Sequence, residues 1–366
     1  LASGKVNKPL RLALIASERT LFEYSAYLER LLVGLADESV PVAIVCPSGC
    51  DVTLSGAAEV IKYPFYELPF TEHLNRKILI EGVGEFEPTV LHCLCESKAA
   101  VTKYLADELR LPYLLSVDSL RKRWGHLPIS SQWCARVVVP AKSIAEDVGD
   151  TYQQFGKRIE QINIGTFVQE ERICFSDASR LPGIVVAGAG GVLDNVDDFE
   201  VLFNALRHLV IDRYEFMVVV VGEGRGEMQL RKLLAALGLL QIVIIVPRLR
   251  PLRSIFASGD IFIQPQPSFS FNPLLLEAMS VGAAVAGCKG GVDDLIIEGQ
   301  TAVIFEPDDE YGIKSVIQQL LDRRELARKI GRGGQKYLRE NHTVSKMVSM
   351  TLQAYRQASD WSGSSR

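Results

Sequence analysis

Short apolar runs alternate along this chain with segments whose apolar positions recur at helical spacing, from the first residues almost to the last. Apolar runs bounded by polar turns suit strands buried on both faces, and the periodic segments between them suit helices that cover those faces. Residues 10–16 read as a strand, 24–35 as an amphipathic helix and 40–46 as the next strand, with further strands expected at 90–93, 113–117, 136–139 and 162–165. After the polar stretch 169–180 the pattern restarts. It predicts strands at 184–187, 217–221, 242–246, 261–264 and 283–286, and helices at 199–210, 227–236, 252–258, from 273, and at 311–321, 325–337 and 344–357. Such alternation implies an α/β chain with two doubly wound parallel sheets. The expected domains are 1–168 and 169–343, followed by a terminal helix and tail, 344–366, whose last residues from Ser359 read as disordered.

Length agrees with two cores, since 366 residues exceed what one usually serves. Hydrophobic residues at 48% and charged residues at 23% describe an ordinary globular chain. The formal net charge of −4 supplies no overall attraction to nucleic acid or acidic lipid, and the group Arg121, Lys122, Arg123 beside Trp124 reads as a solvated loop. Nucleic acid is therefore not an expected partner. Seven cysteines, Cys46, Cys50, Cys93, Cys95, Cys134, Cys174 and Cys288, lack metal-ligand or redox spacing and read as buried thiols, so no metal is expected. No apolar run is long enough to span a bilayer and the first residues do not form a signal peptide. The expected compartment is the cytoplasm, including the inner face of the membrane.

Open parallel sheets bind ligands at the carboxyl ends of their strands, so the loops there hold the candidate chemistry. In the segment 267–279 two serines and Asn272 precede Pro273, a helix-start signal, and the apolar residues Leu274, Leu275 and Leu276 lead to Glu277. An acid in so apolar a segment needs a partner. It serves either a ligand's hydroxyl groups or the helix macrodipole, the latter worth about 0.3–1 kcal/mol. Gly222-Glu223-Gly224 follows a strand and permits either close approach of a phosphate or ribose or a plain strand-to-helix turn. His92 ends another strand and, with Ser116 and Asp118, makes a candidate polar cluster, although a lone histidine is more often structural.

Taken together, these motifs resemble glycosyltransferase family 4, the group 1 glycosyltransferases, most closely over residues 218–337. The resemblance implies a GT-B fold: two Rossmann-like domains facing a cleft, with the last helix crossing back to the first domain. It also implies transfer of a hexosyl unit, with retention and without metal or cofactor, from a nucleotide-diphosphate sugar to an unknown glycan or lipid-linked acceptor. The family's two glutamates eight positions apart map to Phe269 and Glu277, so only the second is present. The implied donor site comprises Gly222, Glu223, Gly224, Arg248, Ser270, Phe271, Asn272, Pro273, Leu274 and Glu277, with Glu277 accepting from ribose hydroxyls. The family's arginine and lysine for the diphosphate map to Val192 and Asp197. An aspartate about 4 Å from a phosphate charge repels it by roughly 4 kcal/mol at an effective dielectric of 20. Arg225, Arg248 and Arg250 are candidate replacement cations, and the amides of residues 272–274 offer anion binding. Gly290-Gly291-Val292-Asp293-Asp294 stands where the family has two glycines, a proline and a glutamate.

On the acceptor side Ser17, Glu18 and Arg19 replace a glycine pair, and Asp118 stands where a histidine commonly ends the strand. His92 fits the family pattern, which makes His92 and Asp118 the candidate catalytic pair. The alternative implied by the substitutions is a catalytically silent GT-B pseudoenzyme that binds a nucleotide sugar or accompanies an active partner glycosyltransferase.

Overall fold

A computed structural model describes residues 9–50, 58–63, 72–121, 126–247 and 252–361. The chain divides into two compact units, residues 1–165 with 344–366, and residues 166–343. Arg121 is described, whereas the rest of the basic group, Lys122, Arg123 and Trp124, lies outside these residues, as do the candidate cations Arg248 and Arg250.

In the first unit seven parallel strands are described: β1 (Leu12–Ile15), β2 (Val42–Pro47), β3 (Glu59–Tyr63), β4 (Val90–Cys93), β5 (Tyr113–Ser116), β6 (Cys134–Val139) and β7 (Ile159–Gln161). Their order is β3-β2-β1-β4-β5-β6-β7, so the direction of winding reverses between β1 and β4. Helices α1 (Glu18–Glu23), α2 (Ser25–Asp37), α3 (Glu72–Glu85), α4 (Ala99–Leu109) and α5 (Lys142–Thr151) accompany the sheet. Two edges differ from the sequence reading. β3 escapes a burial pattern because of its residues only Tyr63 is buried. The last strand is Ile159–Gln161 and not 162–165: Ile162 and Ile164 are buried, but the ladder to β6 is made by the residues before them.

The second unit repeats the design with β8 (Gly183–Val192), β9 (Met217–Glu223), β10 (Val243–Val246), β11 (Ile261–Gln264), β12 (Ala284–Cys288) and β13 (Ala302–Phe305), all parallel and ordered β10-β9-β8-β11-β12-β13. Helices α6 (Asp197–Ile211), α7 (Glu227–Ala236), α8 (Leu252–Ser258), α9 (Pro273–Ser280), α10 (Glu310–Asp322) and α11 (Arg324–Asn341) flank it. Phe199, Phe203 and Leu206 of α6 share a core with Ile184, Val186, Val218, Val220, Ile261 and Ile263. Because strand side chains alternate, Phe262 and Gln264 face the opposite side of β11, where Phe262 meets Phe256 of α8 edge-on at 5.7 Å. The division falls at 165/166, three residues before the expected boundary. Thr166 donates its amide to the carbonyl of His342 at 2.8 Å, which ties it to the second unit.

The chain returns to the first unit as α12 (Val344–Ser359), whose Met347, Leu352, Ala354, Tyr355 and Ala358 join the core formed by Leu28, Leu31 and Leu32 of α2. Of the tail expected to be disordered, residues 362–366 lie outside the described residues, and Trp361 just beyond the helix is held in place. Trp361 Nε1 donates to the carbonyl of Gln132 at 2.9 Å, and Arg158 lies over its ring at 4.7 Å. Close approach of α12 to α2 depends on Gly34, where a Cβ would lie 2.5 Å from a methyl of Val348. Gly34→Leu should therefore destabilise the first unit by about 1–3 kcal/mol through overpacking, read as a lower urea midpoint followed by circular dichroism.

Candidate active site

Helix α9 begins where its sequence signals place it. Asn272 is the N-cap, accepting on Oδ1 from the amides of Leu274 at 3.0 Å and Leu275 at 3.3 Å, and Pro273 occupies the first turn, where a missing N–H costs nothing. Every residue of the helix is buried, Glu277 included, at 6% exposure. Thr166 Oγ1 donates to Glu277 Oε1 at 3.1 Å, and Arg253 Nη2 stands 3.6 Å from Oε2. Arg253, half-buried at the start of α8, also donates to Thr166 Oγ1, the carbonyl of Phe167 and Ser280 Oγ. Thr166 and Arg253 were not among the residues expected from sequence. The signal for them was indirect, namely that a carboxylate in an apolar helix demands a donor and a cation. Phe269 and Ser270 are half-buried and Phe271 fully buried beside this helix start.

The glycine turns serve close packing of loop on loop. A Cβ on Gly224 would lie 2.7 Å from Asp194 Oδ1, and one on Gly226 would lie 2.4 Å from the carbonyl oxygen of Leu193. Arg225 donates its amide to Asp194 Oδ1 at 3.0 Å, and the Gly226 amide donates to Leu193 at 2.8 Å. Gly222 is buried, whereas Glu223, Gly224 and Arg225 are exposed. Asp197, exposed at the first turn of α6, sits where the macrodipole favours an acid. Gly291, with φ of 77°, pairs with Ser268 so closely that a Cβ would fall 2.0 Å from its carbonyl oxygen.

In the first unit, loops at the carboxyl ends of β1, β4 and β5 bring another polar group together at the reversal point. Ser17 caps α1 by accepting from the Thr20 amide at 3.1 Å, with Glu18 and Arg19 exposed behind it and Arg19 paired to Glu23 at 2.7 Å. Glu96 Oε1 accepts from the amides of Asp118 at 3.2 Å and Ser119 at 3.1 Å and from Ser119 Oγ at 2.7 Å, while Arg121 Nη1 lies 3.4 Å away. The Asp118 carboxyl lies close enough to the Glu96 carboxyl and to the Tyr24 hydroxyl to influence both. Burial, followed by the neighbouring charge of Asp118, raises Glu96 to about 7, against the lowering influence of Ser119 and Arg121. Glu96 was missed because nothing in its local pattern marks it. Its place emerges only when β4 and β5 pair.

His92 does not belong to that group. It is 1% exposed, with Nδ1 against the Tyr355 hydroxyl at 2.6 Å and Nε2 against Ser116 Oγ at 2.8 Å, and burial lowers its pKa to about 3. Both ring nitrogens are used inside the unit, so the expected catalytic His92 is a neutral structural residue, and the cluster imagined for His92, Ser116 and Asp118 splits in two. Among the described residues no cluster is suited to a metal, no helix is long and apolar enough to cross a membrane, and all seven cysteines are free.

Residues 182–323, which hold α9 and both glycine turns, match the family model of glycosyl transferases group 1. The second unit is thus similar to this family. Over 373 aligned residues it is 24% identical to the sulfoquinovosyl transferase of Arabidopsis thaliana, covering 89% of this chain and 70% of that protein. Among solved structures, sucrose-phosphate synthase from Thermosynechococcus elongatus superposes with a TM-score of 0.78 at 16% identity, covering 95% and 98% of the two chains. Anabaena HepE in complex with UDP and glucose does so at 0.77 and 13% identity, covering 94% and 98%. The two Rossmann-like sheets of this chain are thus of GT-B type.

The Glu96–Asp118 pair should show in the pH dependence of stability. The folded pKa of Glu96 lies above its ordinary value, so its contribution is complete below about 4.5 and is lost as pH rises through 7. Glu96→Gln should flatten the fall in stability between pH 5 and roughly 8, measured by urea midpoints across that window.

Proposed function

We propose that the protein is a retaining hexosyltransferase that takes a nucleotide-diphosphate sugar on its second unit and a hydroxyl-bearing acceptor on its first. The observation that carries this is the buried Glu277 carboxylate at the start of α9, oriented by Thr166 and neutralised by Arg253. Glu277 accepts from the ribose hydroxyls, a role that a carboxylate fills with charge-assisted bonds. Arg253 sets positive charge near the diphosphate, which must accumulate charge as the sugar departs. In the transfer the bond from the anomeric carbon to the phosphate oxygen breaks. The acceptor oxygen bonds to that carbon from the same face, and the acceptor proton ends on the departing nucleoside diphosphate. No metal or cofactor enters these steps.

On the acceptor side Asp118 and Glu96 supply a carboxyl pair that holds one proton near neutrality and can both accept from and donate to a polyol hydroxyl. The named activity of the Arabidopsis relative is sugar transfer, and the HepE complex contains UDP with glucose, which supports testing uridine nucleotides first.

Uridine or guanosine diphosphate at about one hundred times its Kd should stabilise the native protein by about 2.7 kcal/mol, seen as a higher melting temperature, and Glu277→Ala should abolish the rise. Absence of any shift with either nucleotide would sink the donor assignment. Hydrolysis of sugar nucleotides by the native protein then separates a transferase from a silent binding protein.

A further inference from the structure

The N-terminus of α9 is closed by its own cap, and one buried donor beside it is left without an acceptor. Asn272 Oδ1 takes the amides of Leu274 and Leu275, so its Nδ2 must point elsewhere, and it donates to Gln264 Oε1 at 2.9 Å. That bond fixes the orientation of the Gln264 amide, since a turned amide would set two N–H groups against each other. Gln264 Nε2 is therefore assigned by the network, and it is a buried nitrogen with no hydrogen-bond partner. Asn272 and Gln264 are 4% and 3% exposed, so water does not reach Nε2 while the cap is in place. Buried donors are rarely left unmade, and one that persists marks a place where an acceptor atom is missing. Gln264 ends β11, beside β8 at the point where the second sheet reverses its winding, which is where open sheets bind ligands.

We propose that Asn272 and Gln264 form a displaceable cap that sets donor affinity. When the nucleotide sugar binds, the Asn272 side chain swings away, and phosphate oxygens of the donor take over the amides of Leu274 and Leu275 and satisfy Gln264 Nε2. Asn272 is then a competitor of the ligand in the empty protein, and Gln264 is a specificity-determining donor that becomes available only in the complex. The inference rests on the donor assignment above and adds to it the residues that oppose and reward phosphate.

Calorimetric titration of the full chain with uridine diphosphate and guanosine diphosphate tests it. Asn272→Gly, which removes the competitor while glycine remains tolerated at a cap, should bind about fivefold tighter than the native protein. Adding Gln264→Leu to that variant should abolish the improvement. Asn272→Asp should act in the opposite direction: one carboxylate oxygen keeps the cap, the other can accept from a turned Gln264 amide, and the negative charge repels phosphate. It should melt higher than the native protein without nucleotide and bind about tenfold more weakly or worse. A variant that merely disturbed the fold would not bind more tightly. Native binding that Asn272→Gly leaves unchanged or weakens overturns the displaceable cap while leaving the donor assignment standing, whereas absence of binding by all of these proteins overturns both.

Discussion

A carboxylate cannot remain inside an apolar helix without partners, and much of the second unit is arranged to supply them to Glu277. Taking a charge out of water costs several kcal/mol even after relaxation. Here the compensation comes from separate segments: Thr166 at the entry to the unit, Arg253 at the start of α8, and the helix α9 that carries the acid. Arg253 also holds the Phe167 carbonyl and Ser280 Oγ, so one guanidinium fastens the entering chain, α8 and the far end of α9. Losing one partner of such a pair leaves the other charge exposed to the low-dielectric interior, an effect of about 3–5 kcal/mol. Exposed pairs such as Lys289–Glu306 are worth about 0–1 kcal/mol, so Glu277 and not the surface charge pattern governs this region.

Around that fixed acid the loops at the carboxyl ends of the strands mostly satisfy one another. Asp194 receives the Arg225 amide, the Leu193 carbonyl receives the Gly226 amide, and Ser268 pairs with Gly291. Glycine is required at 224, 226 and 291 because a side chain would strike the facing backbone or side chain, which is a sufficient reason for those residues with no ligand present. Gln264 is the exception within this economy. Among the loops of the second unit just named, its Nε2 is a buried donor with nothing to bind.

The strand and helix pattern was readable because parallel strands buried on both faces write themselves as apolar runs, and β4, β11, α7 and α8 begin and end where those runs do. It failed where burial was weak. β3 is largely exposed, and β13, although buried, was missed because it is only four residues long, Ala302–Phe305. For the site, Asn272, Pro273 and Glu277 were legible as a helix start followed by an acid out of place. Thr166, Arg253, Glu96 and Gln264 were not, since each matters through a partner 22 to 111 positions away in sequence or through what it lacks. Residue type also misled once. His92 and Asp118 both follow a strand pattern, but His92 is still within β4 and points into the unit toward Tyr355, whereas Asp118 lies two residues past the end of β5 and is only half-buried.

The acids in the loop after β8 pose a smaller obstacle to a diphosphate than their charge alone suggests. A repulsion of roughly 4 kcal/mol at 4 Å belongs to a partly shielded pair at an effective dielectric of 20, and the same pair in bulk water repels by about 1 kcal/mol. Asp194 and Asp197 are exposed, so the lower figure is the closer one, and salt reduces it further. What the substitutions remove is attraction, because the family's two cations are absent from positions 192 and 197. Arg253 stands beside Glu277 and spends part of its charge there, so under the proposed donor assignment the burden of holding phosphate shifts to hydrogen-bond donors at the start of α9. Those donors are the amides that Asn272 now occupies and the amide of Gln264 that nothing occupies. On the proposed donor assignment, affinity turns on how readily one asparagine side chain gives way, a local competition between neutral groups in place of a long-range attraction between charges.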